Sequence, residues 1–88
     1  MPELSRFNGI SIKIHWENNE KHHKPHVHVF YNEYEAVIGM DGEVLAGSFP
    51  EKQYTLVRAW IYLHEEALYD AWNKSLRNEP VEKIEPLK

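Results

Sequence analysis

The sequence predicts an α+β fold: an antiparallel four-stranded meander (β-β-β-β-α) with one long C-terminal helix packed on one face and a docked C-terminal tail. Three observations predict it. Apolar side chains alternate along much of residues 10–46, short turn signals divide that stretch, and the apolar period lengthens to three and four residues beyond Pro50. The chain of 88 residues has room for one domain, spanning 1–88.

Residues 10–17, ISIKIHWE, set Ile10, Ile12, Ile14 and Trp16 on one side and Ser11, Lys13, His15 and Glu17 on the other, the period of a half-buried strand. Residues 18–25 are polar and end in proline, which reads as a loop. Residues 26–31, HVHVFY, give a second strand with Val27, Val29 and Tyr31 inward and His26, His28 and Phe30 outward. Asn32 and Glu33 supply a two-residue turn into a third strand at 34–40, with Tyr34, Ala36, Ile38 and Met40 on the core side. Asp41-Gly42 is a second hairpin turn, and 43–46 a short fourth strand.

Ser48 and Glu51 stand at capping-box spacing, with Pro50 between them. Leu56, Val57, Trp60, Leu63, Ala67, Leu68, Ala71 and Trp72 then mark an amphipathic helix over 50–77. Straight, it would be roughly 40 Å long, so a bend is expected near Tyr69-Asp70. In the tail, Val81, Ile84 and Leu87 keep three-residue steps and are expected to dock.

Composition excludes several classes. With no cysteine there is neither a disulfide framework nor a thiolate site. No apolar run is long enough to span a membrane, and MPELSRFNG carries no hydrophobic signal region, so the expected compartment is the cytoplasm. A net charge of −4 disfavours a large nucleic-acid footprint, without closing off a small one. That charge is uneven: residues 1–30 carry a balance of +1 and five of the six histidines, and residues 31–88 a balance of −5.

The two hairpins set a register in which the sheet face away from the helix reads Lys13–Phe30–Glu35, His15–His28–Val37 and Glu17–His26–Gly39. Three chemistries fit that face. His15, His26 and His28 could form a three-histidine metal site, with zinc as the cofactor it would suit. His26 and His28, beside Lys13 and Glu35, could instead serve acid–base cleavage of a phosphodiester without metal, with Arg6, Phe30 and Tyr31 as binding residues. The third reading is structural: half-exposed strand residues, with His26 hydrogen-bonded in a post-proline turn, His28 packed beside Phe30 and Arg6 in a surface ion pair. His22 and His23 read as solvated loop. His64 reads as a boundary-of-core residue.

Several separated motifs then meet in one chain: Ser5-Arg6-Phe7 with Gly9, Pro25-His26-Val27-His28, Tyr34, Gly42-Glu43-Val44, Gly47, Pro50, Trp60, His64, Trp72 and Ile84 to Leu87. On these residues the chain resembles the bacterial family catalogued as domain of unknown function 4160. The loop NNEKHHK departs from the shorter or more proline-rich loop usual there, so His22 and His23 are peculiar to this chain. The resemblance implies no particular activity. It implies a bacterial cytoplasm and a protein partner, a small protein encoded by a neighbouring gene, in a two-gene cassette of toxin–antitoxin-like or regulatory type. An acidic helix is a surface that could meet a basic partner. A chain with one modest core is also a candidate homodimer.

Overall fold

Asn8 and Gly9 both hold left-handed backbone, φ 49° and 79°, and the turn they make adds a strand at the front of the sheet. The computed structural model describes residues 3–14 and 24–87. Its strands are β1 (Glu3–Phe7), β2 (Ile10–Lys13), β3 (His26–Tyr31), β4 (Tyr34–Gly39) and β5 (Val44–Ser48), followed by α1 (Glu51–Leu63) and α2 (Glu65–Leu76). The strands form one antiparallel sheet in the order β1-β2-β3-β4-β5. The meander is therefore five-stranded, not four-stranded. Hydrophobic alternation missed β1 because Leu4 and Ser5 are both buried, at a register irregularity between Glu3 and Ser5. The better signal was Asn8-Gly9, whose twist matches that of paired strands. β2 closes at Lys13, Ile14 follows it buried, and His15, Trp16 and Glu17 of the expected first strand lie outside the described residues.

The β3–β4 register is the expected one: Phe30 opposite Glu35, His28 opposite Val37 and His26 opposite Gly39. Between β2 and β3 the register differs by two residues. Ser11 faces Phe30 and Lys13 faces His28, the place expected for His15. Because side chains alternate with period two, this shift leaves Ser11, Lys13, His28 and Phe30 on one face and Ile12 and Val29 on the other, as expected.

The core face is a continuous apolar surface. Ile10, Ile12, Ile14, Val27, Val29, Ala36 and Ile38 are all fully buried, packed with Val57, Trp60, Ile61, Leu68, Ala71 and Trp72 of the helices. A straight helix over 51–76 would outrun the molecule, whose longest dimension is 33 Å. The chain breaks the helix at His64 (φ −119°, ψ 29°), not near Tyr69-Asp70. The His64 N–H donates to the carbonyls of both Trp60 and Ile61 (3.1 and 3.2 Å), closing α1 with a tightened turn. Leu63 and Ala67, expected in the core stripe, are exposed, and Ile61 is buried instead. The expected capping box does not form: Ser48 belongs to β5, and Pro50 caps α1 without a side-chain bond.

The tail docks. The Ile84 N–H donates to the Leu4 carbonyl (2.8 Å), and the indole Nε1 of fully buried Trp60 donates to the Glu85 carbonyl (2.7 Å). Val81, Ile84 and Leu87 pack on the core. The tail thus covers the β1 edge, which would otherwise present an open row of backbone groups.

Candidate functional site

The sheet face away from the core carries the residues of chemical interest. Alternation along β2, β3 and β4 brings Ser11, Phe30 and Glu35 into one cross-strand row and Lys13, His28 and Val37 into the next. Lys13 lies directly opposite His28, and its Nζ sits 5.3 Å from the centre of the Phe30 ring. A half-buried ammonium over an aromatic face is held by the ring quadrupole. Lys13, His28, Phe30 and Glu35 are therefore brought together.

His26 departs from its expected place. Its parity predicts an outward residue on an open face, yet it is fully buried. Its ring lies 5.0 Å from that of Trp72 and 5.3 Å from that of His28, so α2 covers the end of the sheet where β3 begins. Its Nδ1 is 2.7 Å from the Lys24 carbonyl. A carbonyl only accepts, so Nδ1 carries the proton. The post-proline turn therefore fixes the ring through one of its nitrogens. Metal-bound imidazoles are often oriented in this way, with a backbone carbonyl accepting from the nitrogen opposite the ligand atom. Among the described residues, however, no group of three His, Asp or Glu side chains could hold a metal ion. Completing the expected set needs His15, which lies outside them.

Arg6 points along the same face but is already engaged. Its Nε and Nη2 donate to Glu3 Oε2 at 3.1 and 2.9 Å, and the Ser11 hydroxyl donates to the same oxygen at 2.6 Å. The Ser11 hydroxyl holds the Glu3 carboxyl below its ordinary range; burial opposes it, and the Arg6 guanidinium adds to the lowering. Tyr31 belongs to the other side: it packs edge-on to Phe49 with ring centres 6.2 Å apart.

Sequence reasoning missed a clamp beside His26. Lys24 Nζ bridges Asp41 Oδ2 (2.5 Å) and Glu43 Oε2 (3.1 Å). These two carboxylates raise the Lys24 pKa, and Lys24 together with the Glu43 N–H lowers that of Asp41. The Met40 N–H donates to the Pro25 carbonyl (3.0 Å), which ties the start of β3 to the turn after β4. The signal available was charge order alone, one lysine before the strand and two acids around Gly42, and nothing in it shows the pairing.

Two surfaces complete the picture. β5 is the sheet edge opposite the tail, and Val44, Ala46, Gly47 and Ser48 are all exposed. At the junction of the helices Tyr62 and Leu63 are 79% and 64% exposed, well beyond the other large apolar side chains. No helix among the described residues is long and apolar enough to cross a membrane.

Comparison with known proteins found no match among curated proteins and none among solved structures. A family model, the domain of unknown function DUF4160, matches residues 9–73. That stretch runs from the Gly9 turn through β2–β5 and α1 into α2, leaving β1 and the docked tail, with the landmarks Ser5-Arg6-Phe7 and Ile84 to Leu87, outside it. The match covers well over half of the chain, and the protein belongs to the DUF4160 family.

Proposed function

We propose that this protein is a non-catalytic interaction module, one half of a two-gene toxin–antitoxin-like or regulatory pair, working in a bacterial cytoplasm. Its partner is the small protein encoded by the neighbouring gene. The observation that carries this reading is the contrast between the two sheet edges. The tail closes the β1 side through the Ile84–Leu4 hydrogen bond, while β5, with all but half-buried Leu45 exposed, has no described element beside it. An open edge is a template for one more strand, and strand addition is a recurrent mode of recognition. The register irregularity that leaves Leu45 extra, and the left-handed Gly47 (φ 77°), limit pairing to a short stretch. That suits a single partner strand and opposes open-ended stacking.

The test is hydrogen–deuterium exchange on the full chain, alone and with the purified neighbour-encoded protein. New protection over Val44–Ser48 is expected in the mixture. A mixture without a complex, or a complex that leaves β5 exchanging as before, overturns the proposal.

A second reading is favoured by one observation, Lys13 opposite His28 with Phe30 and Glu35 in the adjoining row. These groups could supply a proton-transfer residue, a cation for a phosphate and a stacking surface for metal-independent RNA cleavage. In that reading buried His26 orients His28 through their ring contact. The two readings part on whether His28→Ala changes the biological effect.

A further inference from the structure

We infer that the strand β5 receives is a basic one, with cationic side chains four positions apart and an apolar side chain midway between them. This deepens the interaction reading and rests on it: the edge is the same, and what is added is the chemistry of its occupant. The β4–β5 register sets Ala46 opposite Val37 and Ser48 opposite Glu35, on the sheet face that carries Lys13 and His28. Glu35 is exposed and, among the described residues, makes no ion pair. Lys13, on the same face, is held over the Phe30 ring instead. Further along β4, a Cβ on Gly39 would come within 3.2 Å of Lys24 Cε and closer still to Asp41 Oδ1, so the Lys24 clamp occupies that face too. One lysine there meets two carboxylates, Asp41 and Glu43, which leaves one negative charge over. Acids thus stand beside both ends of β5, with the small side chains of Ala46 and Ser48 between them.

That arrangement identifies the occupant. A strand added outside β5 would lie roughly 10 Å from β4, two strand spacings away. Ala46 and Ser48 are too short to stand in between, so a lysine or arginine on the new strand can cross above Ser48 to Glu35, and a second can reach the clamp. Glu35 and Gly39 are about 13 Å apart at the rise of a strand, so the two cations fall at i and i+4 on one face. The side chain at i+2 comes beside Ala46 and half-buried Val37, which favours an apolar residue. A second copy of this chain does not fit. Antiparallel pairing of two β5 strands sets Glu35 of each copy against the clamp of the other, and parallel pairing sets Glu35 against Glu35. Both bring like charges together, which opposes association. Lys52 changes little, because it stands beside Glu51 at the start of α1. The charge of the edge therefore turns away its own copies and selects a basic strand.

The experiment gives the full chain three short synthetic strand peptides, identical except for arginine, glutamine or glutamate at the two positions four apart. Hydrogen–deuterium exchange locates binding, and fluorescence anisotropy of the labelled peptides measures it. The arginine peptide is expected to protect Val44–Ser48 and to bind about tenfold more tightly than the glutamate peptide, a difference that shrinks in high salt. Glu35→Lys and Glu43→Gln are each expected to weaken the arginine peptide about threefold, and Glu35→Lys to strengthen the glutamate peptide. Both positions are exposed, and unchanged circular dichroism and thermal midpoint serve as the control for folding. Equal protection of β5 by all three peptides overturns the inference and leaves the open-edge reading standing. No protection of β5 by any of them overturns the inference and removes the support of that reading as well. An arginine peptide that binds while β5 exchanges as before also overturns it. So does protection of β5 that grows with the concentration of the chain alone, which would make a second copy the occupant.

Discussion

Gly47→Ala tests how β5 is seated on the sheet. Gly47 has φ 77°, so any L side chain there meets the left-handed penalty of about 1–2 kcal/mol. A Cβ at this position also overlaps the Glu35 carbonyl oxygen and lies 3.0 Å from the Ala36 Cα. Both atoms belong to the backbone of β4, so no side chain can rotate away; the strand itself must retreat. Giving up two ladder hydrogen bonds adds about 2 kcal/mol at roughly 1 kcal/mol each. The expected total is about 3–4 kcal/mol, a large share of the stability of a domain this size. Gly42→Ala is the matched control. Its φ is 89°, but the added Cβ meets only the flexible Arg58 side chain, at ordinary contact distances of 3.4 Å and beyond. It should incur the left-handed penalty alone, about 1–2 kcal/mol. Urea unfolding followed by tryptophan fluorescence reads the difference. With a slope of about 1 kcal/mol per molar, the Gly47→Ala midpoint should fall about 2 M further than that of Gly42→Ala. Equal losses would refute the close approach of β5 to β4.

Two further outcomes follow from the packing. Trp60→Phe should cost about 2 kcal/mol, about half for the lost indole bond to Glu85 and half for the void, and should make residues 80–87 the first site of limited proteolysis. Glu3→Gln should be less stable than wild type at neutral pH. The folded-state pKa of Glu3 is lowered below its ordinary 4.5, so its contribution is complete above that value and disappears as pH falls through the lower folded one; the gap between variant and wild type should close over that acidic window in urea titrations.

The legible parts of the fold were those with a strong period. Ile10, Ile12, Ile14, Val27, Val29, Ala36 and Ile38 repeat at every second position, and all seven are fully buried on one face. The β3–β4 register followed because a two-residue turn at Asn32-Glu33 leaves one way to pair the strands. β1 was not legible by alternation, since a local irregularity buries two successive residues. The helix break was legible in length but not in position. His64 carries no breaker chemistry, and the size of the sheet, a tertiary quantity, sets where the helix must turn.

The site was legible to the same degree. Parity alone placed Lys13, His28, Phe30 and Glu35 together, and a two-residue slip in the β2–β3 register did not disturb it. Parity says nothing about what covers the end of a sheet, so the burial of His26 against Trp72 was out of its reach. The Tyr62–Leu63 exposure was hidden because Leu63 fits an ideal helical stripe, and the break at His64 removes it from that stripe. The Arg6 ion pair with Glu3 is the surface contact that its position suggested.

The measurement that tests the central claim most directly is growth of a bacterial host while this protein is induced alone, beside its His28→Ala variant. His28 is half-buried on the sheet face, and fully buried His26 is left intact so that folding is not confounded with chemistry. An interaction module without catalysis predicts normal growth in both cultures. Arrest by wild type, relieved by His28→Ala at equal soluble expression, would contradict it and assign the function to chemistry on the Lys13–His28 face.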